Sequence, residues 1–122
     1  LKRSQITAGR VTFIKTKGKR NRTIPLATEI LSELSKKNGR LFEPCYYAFR
    51  SALERAGINL PAGQLTHVLR HTFASHFMMN GGNILVLQKI LGHTDIKMTM
   101  RYAHFAPSHL EDALKFNPLV GR

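Results

Sequence analysis

The sequence predicts a mainly α-helical fold with a small β-hairpin or sheet at its N-terminal end. Two short β-branched and aromatic runs, VTFIKT at 11–16 and RTIPL at 22–26, flank the Gly-containing loop KGKRN. After residue 26 the apolar residues recur three or four apart, as on helices. Gly, Asn-Gly or Pro follows most of those stretches, as helix stops do.

In order, the two runs pair as a hairpin, since such residues favour strands. Pro25 lacks a donor, so the second strand ends there or lies on an edge. Ala27, Ile30, Leu31 and Leu34 predict a helix over 27–37, stopped by Asn38-Gly39. Tyr46, Phe49, Leu53 and Ala56 form the next stripe, ended by Gly57. Thr66 is placed to cap a helix beginning at His67, because its hydroxyl can accept a free backbone N–H. That helix is expected to turn Leu69, Phe73, Phe77 and Met78 inward and to stop at Asn80-Gly81-Gly82. Ile84, Leu87, Ile90 and Leu91 mark a helix stopped by Gly92. Thr94 or Asp95 caps another running through Met98 to Tyr102. Ser108 and Glu111 have capping-box spacing for a last helix, ended by Asn117-Pro118.

Of 122 residues, 43% are hydrophobic, enough for a core in one domain or part of one. Nineteen Lys and Arg against seven Asp and Glu give a net charge of +12. Such an imbalance favours a polyanion, nucleic acid or anionic membrane. No long apolar run is present to span a bilayer, and no signal-peptide pattern opens the chain. The lone Cys45 excludes an internal disulfide and reads as a partly buried structural thiol in a reducing compartment.

The stretch LTHVLRHTFASH, 65–76, concentrates His67, Arg70, His71 and His76. A metal site is poorly supported. His67 and His71 share a face, but Val68 stands where zinc proteases place Glu. No carboxylate lies between Glu54 and Asp95, so no metal is expected. A phosphate suits the residues better. His67 and Arg70 are neighbours on one face, near a helix N-terminus that favours anions. A guanidinium also grips phosphate oxygens as a fork. From spacing alone, ordinary exposed polar residues explain the pair as well. His76 reads as structural, and His71 as at most an orienting neighbour.

Three further stretches bear on this: LGH at 91–93, TMRYAH at 99–104 and TKGKRNRTIPL at 16–26. Together with HVLRHTFASH they resemble the tyrosine recombinase family, and temperate-phage integrases most, over about residues 6–118. The tail AHFAPSHLEDALKFNPL is similar to phage integrases specifically. The resemblance implies that Tyr102 attacks a DNA phosphate and becomes linked to its 3′ side. It implies that Arg70 binds a non-bridging oxygen and that His67 contacts the phosphate and assists proton movement. His93 would donate to the phosphate, and Lys17, with Lys19 as rival, would protonate the departing 5′ oxygen. Lys15, Lys19, Arg20, Arg22 and Arg101 would contact DNA. The residue types suit the chemistry. A phenol ionises near pH 10 in isolation, so it needs a base or a cationic pocket at neutral pH. Fixed Arg and His donors stabilise charge gathering on the phosphate. A lysine can serve as the acid, and the preserved phosphotyrosyl bond removes any need for a nucleotide cofactor.

The family's second catalytic arginine precedes the hairpin, and neither Arg3 nor Arg10 sits in its motif. The chain is therefore expected to be the carboxyl-terminal part of a catalytic domain, with the upstream catalytic segment and the N-terminal DNA-binding domains outside it, and to be inactive alone. The resemblance further implies specific double-stranded DNA sites as partners, a tetramer on paired sites, and action in the cytoplasm of a bacterial host at its nucleoid. Leu110, Ala113, Leu114 and Phe116 offer an apolar face that docks on a neighbouring protomer or packs back on its own core. Two alternatives stay open: a non-catalytic helix-turn-helix module over 84–102 carrying Lys97 and Arg101, and a type IB topoisomerase-like enzyme.

Overall fold

Strand β1 (Ile6–Thr7) turns sharply into β2 (Arg10–Phe13), which pairs in turn with β3 (Arg22–Pro25). All pairings are antiparallel, in the order β1-β2-β3. The first turn places Ala8 and Gly9 at φ 50° and 72°. Positive φ at both central residues matches the twist of a two-residue hairpin. Val11, buried and opposite Ile24, anchors the sheet. Thr12 and Thr23 face one another, their hydroxyls 2.8 Å apart. Pro25 closes β3, where its missing donor costs no interior ladder bond. The expected hairpin is therefore present, and β1 is an unforeseen third strand.

This computed structural model describes residues 1–14, 21–119 and 121. They form two compact units, Leu1–Gln64 and Leu65–Arg122. The first unit adds helix α1 (Thr28–Glu33) and helix α2 (Tyr46–Arg55) to the sheet. Helix α1 stops four residues short of the expected end, with Leu34 extended at ψ 137°. The Ser32 hydroxyl bonds the Glu29 carbonyl, the local competition by which serine weakens helices. Helix α2 ends as expected, with Gly57 at φ 66° and the Ile58 N–H returning to the Leu53 carbonyl. Cys45, just before α2, is exposed rather than partly buried.

The second unit holds α3 (His67–Met79), α4 (Ile84–Leu91), α5 (Ile96–Met100) and α6 (Asp112–Lys115). Its core is Ala74, Met78, Leu87, Leu91 and Tyr102, flanked by Phe77, Ile84 and Phe105. The inward stripe of α3 is thus Ala74 and Met78. Leu69 and Phe73, expected inside, are 60% and 48% exposed. The helix is turned by about one residue, or 100°, which carries Arg70 and His71 to the edge of the core. His76 is likewise exposed, beside Phe73 and Phe77 in an open groove.

Caps explain the other boundaries. Thr66 is helical and makes no side-chain cap bond. The Val68 and Leu69 N–H groups donate instead to the Leu65 and Thr66 carbonyls. Asn83 caps α4, its side chain accepting from the Leu85 and Val86 N–H groups. Gly92 ends α4 in the left-handed region, and Asp95 caps α5. Ser108 and Glu111 form no capping box, so α6 starts at Asp112. Among the described residues, no helix is long and apolar enough to cross a membrane.

Candidate active site

The second unit gathers three sequence-distant groups around Tyr102. Burial of Ala74 and Met78 turns the preceding residues of α3 toward the same edge. The half-buried Arg70 sends Nη2 to the carbonyl of Leu91, the last residue of α4. That carbonyl lies at the negative end of the helix dipole, where a cation is favoured. Gly92 then reverses the chain and delivers His93 one residue later.

His93 is half-buried, with Nδ1 2.8 Å from the Thr99 hydroxyl. Thr99 is fully buried on α5. Its carbonyl also accepts the Tyr102 backbone N–H at 3.0 Å. One threonine therefore ties His93 by its side chain and Tyr102 by its main chain. Tyr102 is 7% exposed and packs with Ala74, Met78, Leu87 and Leu91. Its hydroxyl is hydrogen-bonded to Nδ1 of the exposed His71, with ring centroids 5.9 Å apart and planes at 40°.

Arg70, His93 and Tyr102 are therefore linked through Leu91, Thr99 and His71. His67 is exposed at the first position of α3. It shares a face with His71, four residues on, but among the described residues no hydrogen bond joins it to Tyr102. Arg101 is exposed at the end of α5. In the first unit, Arg22 is half-buried on β3 with its guanidinium 5.0 Å over the Phe13 ring, a cation–π contact. Lys15, Lys17, Lys19 and Arg20 lie outside the described residues. Among the described residues no cluster of three or more His, Cys, Asp or Glu could hold a metal.

Two members of the arrangement are absent from the sequence reading, His71 as a partner of the phenol and Thr99. His71 was legible only once Ala74 and Met78 were known to face inward, because it lies on their line. Thr99 carried no signal beyond standing three residues before the tyrosine. A helix-turn-helix reader fits the geometry poorly. Helix α5 has five residues, and Thr99 in it is buried in the core, leaving little helix to enter a groove.

The phage integrase family model matches residues 38–109. The integrase of Escherichia phage 186 is 71% identical over 121 residues, covering 98% of this chain and 36% of that protein. The integrase of Haemophilus phage HP1 is 66% identical over 119 residues, covering 98% of this chain and 35% of that protein. The chain thus spans about a third of the length of these relatives. The solved catalytic domain of bacteriophage HP1 integrase superposes with a TM-score of 0.93 at 64% identity, covering 99% of this chain and 72% of that one.

Proposed function

This chain belongs to the phage integrase family, and we propose that it serves a site-specific DNA recombinase acting through a 3′-phosphotyrosyl intermediate at Tyr102. The observation that carries the proposal is the linkage of Arg70, His93 and Tyr102 around one small core. Three residues far apart in sequence converge there, and they are a nucleophile and two donors suited to a phosphate.

In the reaction, the Tyr102 oxygen bonds to phosphorus while the bond to the 5′ oxygen breaks. The phenol gives up its proton, and the departing 5′ oxygen gains one, by resemblance from Lys17. Arg70 spends one nitrogen on the Leu91 carbonyl and has further donors for a non-bridging oxygen. Thr99 holds the His93 ring through Nδ1, and the resemblance implies that this histidine donates to the phosphate. A Thr99 hydroxyl that donates to Nδ1 leaves the proton on Nε2, which is the donor form. His67, exposed on the same face of α3, adds a further phosphate contact. Preorganised donors of this kind stabilise the transition state more than the ground state. No metal or nucleotide enters the scheme.

The remaining parts of the reading rest on the family resemblance. The basic residues Lys15, Lys19, Arg20, Arg22 and Arg101 hold DNA phosphates. Protomers assemble as a tetramer on paired sites. The exposed Leu110, Leu114 and Phe116 suit docking of the tail on a neighbour. The protein acts on DNA in the cytoplasm of a bacterial host.

The test is covalent trapping. The full-length protein is incubated with nicked suicide-site DNA, and a protein–DNA adduct is sought that disappears in Tyr102→Phe. Tight specific binding with no adduct would leave a DNA-binding module. An adduct accompanied by plasmid relaxation, without exchange between paired sites, would indicate a topoisomerase.

A further inference from the structure

We propose that His71, rather than His67, receives the phenolic proton of Tyr102 as it attacks. This rests on the recombinase reading above. The imidazole that meets the Tyr102 hydroxyl is that of His71, through Nδ1. The tyrosine ring is seated in the core, while His71 is exposed. The hydroxyl therefore lies at the boundary between a dry pocket and an imidazole in contact with solvent.

That placement fits proton uptake. An imidazole titrates near neutrality, so it can accept a proton at working pH and return it later. The Tyr102 ring packs among Ala74, Met78, Leu87 and Leu91, and the imidazole at its hydroxyl is that of His71. A base in direct contact is the geometric requirement for proton transfer. The step balances. The Tyr102 oxygen forms its bond to phosphorus, its proton passes to Nδ1 of His71, and the 5′ oxygen leaves with a proton from the acid. Resealing reverses it: the 5′ hydroxyl attacks, and the imidazolium of His71 reprotonates the departing tyrosine. His67 is thereby left to the phosphate alone. The proposed transfer requires the Tyr102 hydroxyl to donate to Nδ1, and therefore the ring proton of neutral His71 to sit on Nε2.

The experiment measures adduct formation by the full-length protein on suicide-site DNA from pH 5.5 to 9.5, with wild type, His71→Ala, His71→Asn and Tyr102→Phe. The Asn oxygen can replace Nδ1 as an acceptor but cannot take a proton. At pH 7 both His71 variants are expected to fall roughly 100-fold, the scale of a lost general base, with non-covalent DNA binding kept within about twofold. Their rates should then climb toward the wild-type value as the pH approaches the phenol range near 10. Added imidazole should partly restore His71→Ala. Nitrogen-15 spectra of the 122-residue chain should show neutral His71 protonated on Nε2. The proposal is overturned by a His71→Ala rate within threefold of wild type, by a loss equal at every pH, or by a ring proton on Nδ1. If wild type forms no adduct, the recombinase reading falls and takes this proposal with it. If wild type forms one that Tyr102→Phe abolishes and His71→Ala spares, only the role of His71 falls.

Discussion

Thr99→Val separates the positioning of the candidate site from the stability of its core. Thr99 is fully buried, its hydroxyl 2.8 Å from Nδ1 of His93. Valine keeps the shape and removes the hydroxyl. A hydrogen bond of this kind is worth about 1 kcal/mol net. His93 is half-buried, so the loss is set at that ordinary value. The new methyl is buried in place of a polar group, which offsets up to about 0.8 kcal/mol. The melting temperature should therefore move by less than about 4 °C. Cleavage should respond differently. Removing one oxyanion donor outright costs about 100- to 1,000-fold, and a donor that is present but unanchored should cost roughly 10- to 100-fold. Thr99→Ser provides the opposite case. It keeps the hydroxyl but leaves a methyl-sized void, costing about 1 kcal/mol, with cleavage near wild type. Thermal unfolding and single-turnover cleavage of the two variants in the full-length protein test this. Equal cleavage by Val and Ser, or a Val loss below threefold with the fold intact, would refute the role given to the Thr99 hydroxyl.

Other expectations follow from single contacts. Arg70→Ala should lower cleavage at least 100-fold, or about 3 kcal/mol, and a change below tenfold would contradict its role. Arg70→Lys should recover part of the melting temperature but little cleavage, since one ammonium cannot form the planar fork. Gly82→Ala should cost about 1–3 kcal/mol in chemical denaturation, because a Cβ there would lie 2.2 Å from the Phe77 ring. Gly82→Ala combined with Phe77→Leu should be less harmful than the sum of the two changes. DNA affinity should fall steeply as salt rises from 50 to 200 mM, roughly tenfold or more for each two or three phosphates contacted. A flat dependence in a filter-binding titration would count against a phosphate-binding face.

The fold was legible wherever chain geometry demands a particular residue. Gly57 and Gly92 occupy left-handed positions that other residues resist, and both ends were read correctly. The failures lie where two local solutions compete. On α3, Leu69-Phe73-Phe77 and Arg70-Ala74-Met78 are adjacent stripes with the same period, and periodicity cannot rank them. Residue size points to the first. The structure buries the second, because small Ala74 lets the helix approach Leu87, Leu91 and Tyr102. Thr66 and Ser108 failed as caps for a related reason. A hydroxyl at the right spacing is only an option, and at Thr66 the Leu65 and Thr66 carbonyls take the nearby N–H groups first. Arg70, His93 and Tyr102 of the candidate site stand at a recognisable spacing in the sequence, and the structure brings them around one core. The contacts supporting them were not legible. His71 meets a hydroxyl 31 residues away, and no local rule states which tip a helical side chain will reach.

The support of Arg70 explains how the site can stay cationic while its arginine is half-buried. A buried guanidinium is ordinarily paired with a carboxylate. Such a pairing would cancel the charge that a phosphate needs to meet. Among the described residues no carboxylate pairs with Arg70. Arg70 bonds instead to the Leu91 carbonyl, at the end of α4 where the last carbonyls lack helical partners. Gly92 and His93 send their N–H groups to the Gln88 carbonyl, which closes the end of the helix while Leu91 receives the arginine. The C-terminal end of a helix carries only about half an elementary charge, so it orients the guanidinium without neutralising it. The same turn delivers His93, and Thr99 on α5 holds that ring three residues before the tyrosine. Gly92 therefore couples the arginine's support to the histidine's position, which gives a physical reason for Leu91, Gly92 and His93 to occur as one contiguous motif.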